Sequence, residues 1–321
     1  MKKFIGAAAV GAILIALSGC ATADGPGSGD SDSLVVGFSL VGAESGWRTA
    51  NTTDIQSAFK DAGIELKFSD AQGKQENQIK ALRSYIQQGV DVIAFSPVVE
   101  SGWDTVLQEA KDAGIPVVLT DRAVDSKDES LYESFLASDF IVEGERAGDW
   151  VNTEFADADN VNIVELQGTT GAAPANDRAE GFRNKVTDPK FKIIATQTGD
   201  FTRAGGKQVM EAFLQSNPDI DLVYAHNDDM GLGAIEAIEA AGLVPGVDIK
   251  IVTVDAVKDG MTALSEGKIN FIVECSPLLG AQLVDVATKV AAGDKVEKRI
   301  LTDETTFTQE QATAALPDRK Y

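Results

Sequence analysis

Asp121 and Arg122 stand side by side after the short apolar run Ile115-Pro116-Val117-Val118-Leu119-Thr120. A carboxylate accepts hydrogen bonds and a guanidinium donates them from a planar fork, so the pair suits a ligand rich in hydroxyls. The run before it has the β-branched composition of a buried parallel strand, and ligands of open α/β sheets gather outside the carboxyl ends of such strands. An isolated Asp-Arg dipeptide is as readily a salt-bridged strand terminus. Recurrence favours the functional reading. Polar side chains stand at comparable places along the chain: Glu44, Ser45 and Arg48 after residues 34–41, Ser96 after 90–95, Arg178 behind the Gly-rich loop 168–174, Asn227 after 222–226, Asp255 after 249–254, and Glu274 closing 271–274. Trp47 adds a ring. Carboxylates, amides and guanidinium groups bond vicinal hydroxyls, and an aromatic face covers the C–H face of a sugar ring. That is the chemistry of a carbohydrate cleft.

Such side chains need elements to hold them. Strands are predicted at 34–41, 64–68, 90–96 and 115–120, with helices at 47–62, 75–88 and up to Ala113 between them; Gly63, Gly89 and Gly114 close the helices. The second helix shows Ile79, Leu82, Tyr85 and Ile86 at helical spacing. The pattern then begins again. Helices at 139–155, 175–185, from Arg203 to Ser216, up to Ala241, at 261–267 and at 276–292 alternate with strands at 161–166, 191–197, 222–226, 249–254 and 271–274. This alternation implies parallel βαβ crossovers and an α/β fold of two similar Rossmann-like lobes with parallel sheets, leaving a cleft between them.

The chain's 321 residues suffice for two domains, and 44% apolar residues supply their cores. Fifty acidic against 28 basic residues give a formal charge of -22, which argues against nucleic acid and against docking on anionic lipid. One His and two Cys exclude a histidine-rich metal site and a disulfide framework. Lys2 and Lys3 precede an uncharged apolar run, residues 4–17, too short to span a membrane and fitting a secretory signal. Leu17-Ser18-Gly19-Cys20 resembles a bacterial lipobox, in which cleavage after residue 19 leaves Cys20 as a lipidated N-terminus. Residues 20–33, rich in Gly, Ser, Asp and Ala, read as a flexible tether. The expected location is extracytoplasmic, anchored to the outer face of the cell membrane through lipid alone.

From Leu34 to Tyr321 the chain resembles the type I periplasmic sugar-binding proteins of ABC transporters, the ribose- and galactose-binding superfamily, and most of all its galactofuranose-binding branch. The stretches that carry this are Val36-Gly37-Phe38-Ser39, Gly42-Ala43-Glu44-Ser45-Gly46-Trp47-Arg48, Lys74 to Ile79, Pro97 to Trp103, Asp121-Arg122, Glu165 to Thr169, Gly199 to Arg203 and Tyr224 to Met230. The resemblance implies two lobes joined by three strands near a hinge, residues 34–138 with 275–302 and residues 139–274 with 303–321, closing over one monosaccharide and presenting it to a permease. It implies ligand contacts from Phe38, Asp121, Arg122, Arg178, Asn227 and Asp255, a hinge role for Glu274 where ribose binders carry Gln, and ring walls from Trp47 and Phe201. Arg48 departs from ribose binders, which have a second Phe there; a guanidinium oriented by Glu44 favours a ligand with an extra hydroxyl or exocyclic arm. A hexose or pentose, furanose forms such as galactofuranose included, is therefore expected rather than ribose. No cofactor, metal or catalytic residue is implied, and the protein is expected to act as a monomer.

Several residues admit plainer roles. The Gly168–Gly171 turn lacks the GxGxxG order and Lys of a phosphate loop and reads as a tight turn exposing Arg178. Asp228 and Asp229 suit a helix N-cap and first turn better than a metal pair. His226 reads as a buried supporting residue, Trp150 as core, Trp103 as either core or ligand platform, and Cys275 as a small hydrophobe. A glycosidase built on Asp121, Asp255 and Glu274 is disfavoured, since Arg122 and Arg178 nearby lower carboxylate pKa values. A sugar sensor acting through a chemoreceptor or kinase is the alternative to transport.

Overall fold

Two six-stranded sheets organise the protein, and they repeat each other strand for strand. The computed structural model describes residues 34–321; the expected signal segment 1–19, Cys20 and the tether 20–33 lie outside the described residues. No described helix is long and apolar enough to cross a membrane. The first lobe runs β1 (Val35–Leu40), α1 (Gly46–Asp61), β2 (Glu65–Asp70), α2 (Gln75–Gln88), β3 (Val92–Phe95), α3 (Asp104–Asp112), β4 (Val117–Thr120) and β5 (Ser134–Ala137). The chain then crosses to α4 (Phe140–Glu154) and the second lobe: β6 (Val161–Gln167), α5 (Ala173–Lys185), β7 (Phe191–Thr198), α6 (Arg203–Ser216), β8 (Leu222–Ala225), α7 (Asp228–Ala240), β9 (Lys250–Asp255), α8 (Lys258–Ser265) and β10 (Phe271–Glu274). It returns for α9 (Gly280–Ala291) and β11 (Arg299–Leu301), and crosses a third time to β12 (Thr306–Phe307) and α10 (Gln309–Ala315).

The strand orders are β11-β5-β4-β3-β1-β2 and β12-β10-β9-β8-β6-β7. All pairings are parallel except the short β12 against β10. Central strands such as β3, β4 and β8 are buried along their whole length, which is why they read as continuous apolar runs. The two crossings also exchange helices. The helix that follows β5 packs in the second lobe on α5, and the one that follows β10 packs in the first lobe on α1.

The short elements β5, β11, β12 and α10 carry too few residues for a period to show. The last long helix begins at Gly280, four residues later than its apolar pattern suggests. Residues 276–279 are spent crossing between lobes, with the Pro277 carbonyl accepting the Asn51 side chain at 2.9 Å.

Close approach of α4 and α5 fixes the floor of the second lobe. A Cβ on Gly181 would lie 2.1 Å from the Ile141 carbonyl oxygen, and one on Gly144 would lie 2.3 Å from that of Arg178. Beneath the sheet's other end, Glu165 is fully buried and receives both terminal nitrogens of Arg183 at 2.9 and 2.6 Å and His226 Nε2 at 3.0 Å. Burial alone would raise the Glu165 carboxyl, but the His226 and Arg183 bonds outweigh it and hold it down at about 2.

Two predictions follow from this packing. Gly181→Ala forces the helices apart and should cost about 1–3 kcal/mol, read as a fall of several degrees in the unfolding midpoint. Glu165 is depressed in the folded state, so its contribution of about 3 kcal/mol is present above pH ~4.5 and lost as the pH falls towards 2; Glu165→Gln should flatten the unfolding midpoint over that window, and an unchanged acid limb would refute the assignment.

Candidate functional site

In the first lobe the cradle begins with Ser45, whose Oγ accepts the Arg48 backbone N–H at 3.1 Å and starts α1. Trp47 and Arg48 therefore occupy the first turn of a helix aimed between the lobes. Arg48 Nη2 donates to Asp121 Oδ2 at 2.6 Å, and Ser96 Oγ donates to the same oxygen at 3.0 Å. Arg122 Nη2 donates to Glu44 Oε1 at 2.5 Å and its Nη1 to the Val98 carbonyl at 3.2 Å.

The second lobe supplies the facing half. Pro174 opens α5, and one turn later Arg178 donates from Nε to Glu143 Oε2 at 2.7 Å and from Nη1 to the His226 carbonyl at 2.6 Å. Its Nη2 stays 3.9 Å from Asp255 Oδ1. Asn227 caps α7 through Met230 N–H and donates its amide to the Phe201 carbonyl at 3.0 Å. Phe201 lies flat on Gly168, where a Cβ would come within 1.9 Å of the ring, and the Arg122 guanidinium carbon stands 5.2 Å from its centroid. Trp47 Nε1 donates to the Cys275 carbonyl at 2.7 Å, tying α1 to the second crossing.

Backbone strain gathers here. Asp121 (φ +63°), Asp200 (+54°), Phe201 (+60°), Asp255 (+122°) and Ala256 (+66°) are five of the six non-glycine residues with positive φ among the described residues. Such conformations persist where surroundings over-determine them, as at binding sites. Buried nitrogens Arg48 Nε and Arg122 Nε and the oxygen Asp255 Oδ2 have no hydrogen-bond partner among the described residues. Their residues border a small cavity, about 20 Å³, between the lobes.

Burial sets the charge states. It pushes the Asp255 carboxyl well above the usual carboxylate range, and Arg178 does not reverse this. Burial also pushes Glu143 up, while the Arg178 guanidinium bonded to it opposes the rise and favours the charged carboxylate. Burial lowers His226, which stays a neutral imidazole bound to Glu165. The expectation that a neighbouring Arg holds Asp255 low is thus corrected: Arg178 is turned to Glu143 and leaves desolvation to decide.

Ten of the thirteen candidate residues border the cavity: Glu44, Ser45, Trp47, Arg48, Asp121, Arg122, Arg178, Phe201, Asn227 and Asp255. Ser96 stands behind Asp121. Two are elsewhere. Phe38 is fully buried in the apolar layer under α1 and α9, its ring 6.1 Å from Phe68. Glu274 points to the opposite face, where it meets Arg319 at 2.7 Å, Tyr321 Oη at 3.0 Å and Thr305 N–H at 3.1 Å. Successive residues of an extended chain face opposite sides, so Cys275 takes the cavity position that Glu274 was expected to have. Cys275, Pro174 and the supporting Glu143 and Asn51 were not singled out as site residues; a place after a strand could have flagged Cys275, and one helical turn from Arg178 or Arg48 could have flagged Pro174 and Asn51, but nothing local marks Glu143. Arg178 is buried rather than exposed, and Asn227, not Asp228, is the α7 cap. Trp103 is core, packed on Phe95.

Residues 36–295 match the model of the periplasmic binding protein domain family. The galactofuranose-binding protein YtfQ of Escherichia coli is 48% identical over 292 residues, 89% of this chain and 92% of that one. A crystal structure from Mycobacterium smegmatis in complex with β-D-fucofuranose is 64% identical with a TM-score of 0.89, covering 90% of this chain and 96% of that one. The binding protein of the arabinose ABC transporter from Shewanella sp. ANA-3, bound to α- and β-L-arabinofuranose, is 50% identical with a TM-score of 0.85, over 89% and 95%. With two matching α/β sheets around a polar cavity and relatives at this identity over nearly their whole length, the chain belongs to the periplasmic binding protein family.

Proposed function

We propose that this protein is an extracytoplasmic solute-binding protein that closes its two lobes over one neutral monosaccharide in its furanose form and delivers it to an ABC transporter permease. The observation that carries this reading is the mixture of acids and guanidinium groups in the cavity wall. Arg48, Arg122 and Arg178 face the carboxyl groups of Glu44, Asp121 and Asp255, one acid for each base. A site for a phosphate or carboxylate would not turn so many carboxyl groups towards its ligand, whereas this mixed set of donors and acceptors suits hydroxyls. Trp47 and Phe201 supply faces for ring C–H groups. The relatives bound to fucofuranose and arabinofuranose, and the galactofuranose-binding protein, support a five-membered ring. Arg48 supports a hexose-type ligand with an exocyclic arm over ribose. Closure selects the form that the permease receives, and no residue performs covalent chemistry. Cys20 would carry the lipid that tethers the body to the membrane's outer face.

Thermal unfolding against a sugar panel tests the ligand. The panel holds galactose, arabinose, fucose, fructose, glucose, ribose, a galactofuranoside and a hexose phosphate. At ~100 times its dissociation constant a ligand adds about 2.7 kcal/mol to the native state, a rise of several degrees for this size. Sugars that populate furanose rings should raise the midpoint and the hexose phosphate should not; ribose competing on equal terms would remove the hexose reading, and a response to the phosphate alone would remove the neutral one.

Asp121→Ala leaves Arg48 buried without its carboxylate. Breaking such a pair costs about 3–5 kcal/mol of folding stability, read as a lower unfolding midpoint in the unliganded protein; the lost hydrogen bonds from an oriented charged group should separately reduce affinity by about tenfold or more in titration calorimetry. Unchanged affinity would place the ligand elsewhere.

A further inference from the structure

Beyond the cavity, two sets of hydrogen bonds run directly from lobe to lobe. Asp229, in the first turn of α7 in the second lobe, accepts the backbone N–H of Gly46, the first residue of α1 in the first lobe, at 2.7 Å. Helix starts expose unpaired N–H groups and carry partial positive charge. One carboxylate is therefore held between the N-termini of two helices from opposite lobes, with Arg203 Nε 3.8 Å from its Oδ1. Elsewhere between the lobes, the Glu100 N–H donates to the Gly171 carbonyl at 2.9 Å, and Asn176 donates its side-chain amide to Glu100 Oε2 at 2.6 Å. Asp229, Glu100 and Asn176 do not border the cavity. Both sets link elements of opposite lobes outside the three chain crossings, so these bonds require the lobes to be closed on each other.

We propose that Asp229 is a positioning residue for closure: together with the Glu100–Asn176 clasp it sets the balance between open and closed lobes, and so scales the affinity for every ligand by one common factor. The affinity part rests on the sugar-binding reading above. A ligand that binds only the closed arrangement has its apparent dissociation constant divided by the closed fraction. Loss of a latch outside the cavity therefore multiplies all dissociation constants alike and leaves the choice among sugars to Arg48, Arg122 and their neighbours.

The test uses the full chain with Asp229→Ala, Asp229→Asn and Asn176→Ala. Two readouts are taken: dissociation constants for the two best sugars of the panel, and, with no ligand, the rate of thiol labelling at Cys275, followed by peptide mass. Cys275 is 1% exposed and borders the closed cavity, so labelling reports opening. A hydrogen bond to a charged group is worth enough for Asp229→Ala to weaken both sugars by about tenfold or more, with their ratio unchanged. Labelling of Cys275 should accelerate by a similar factor. Asp229→Asn, which keeps an oxygen for the Gly46 N–H, should fall between, and Asn176→Ala should act in the same direction from the second contact. A changed ratio between the sugars would make Asp229 a specificity residue and overturn the proposal. Unaltered labelling would overturn it too, even if the unfolding midpoint drops, because the loss would then belong to α7. Should the unaltered chain bind no sugar, the sugar reading fails while the labelling rates still decide the latch.

Discussion

Burying three guanidinium groups between two lobes is the constraint on which the rest depends. An unpaired buried charge is far too costly to keep, so Arg48, Arg122 and Arg178 each require a partner held from another element. The fold provides them: Asp121 after β4 for Arg48, Glu44 of the β1–α1 loop for Arg122, and Glu143 of α4 for Arg178. Once pinned, these side chains have little rotamer freedom left to lose when a ligand arrives. Their orienting cost is met in folding, which leaves more of each new hydrogen bond to appear as affinity.

The repeated topology makes the two halves comparable, and their differences are informative. By strand order β4 corresponds to β9 and the helix after β1 to the helix after β6, so Arg48–Asp121 and Arg178–Asp255 are equivalent pairs. Both aspartates have positive φ, a conformation imposed at the same strand end in each lobe. Yet the first pair is closed at 2.6 Å and the second is open at 3.9 Å. The exchanged helix explains it. α4 brings Glu143 to Arg178, whereas α9, its counterpart in the first lobe, brings no carboxylate to Arg48. Asp255, which borders the cavity, is left with an unpartnered oxygen.

Most of this was legible because strand ends are marked twice, by an apolar run and by the polar residue that interrupts it. Asp121, Arg122, Asn227 and Asp255 were readable for that reason, and Trp47 and Arg48 because a Ser before them marks a helix start. The misses have local causes. Phe38 lies within the strand rather than past its end, so its ring joins the apolar layer beneath the sheet. Glu274 and Cys275 differ by one residue, and a one-residue shift in extended chain exchanges the faces. Glu143 stands some 35 positions from Arg178 in sequence and meets it only through the crossing of β5 into the second lobe, a long-range event that no local pattern encodes. Asp255's raised pKa was hidden for the same cause, since it depends on where Arg178 points.

The floor of the cavity is also the hinge. Glu304 Oε1 accepts one hydrogen bond from each chain crossing: Ser138 Oγ at 2.5 Å, Ser276 N–H at 2.9 Å and Thr302 Oγ1 at 2.9 Å. Ser138 Oγ also stands 3.3 Å from Cys275 Sγ, and the Cys275 carbonyl is where Trp47 is tied down. A rotation about the crossings therefore acts directly on a ring wall of the site. Outside the crossings, Asp229 and Glu100 meet their partners across the gap through single hydrogen bonds. Rigidity is thus concentrated where the three crossings share one carboxylate, and reversibility where single hydrogen bonds join opposite lobes.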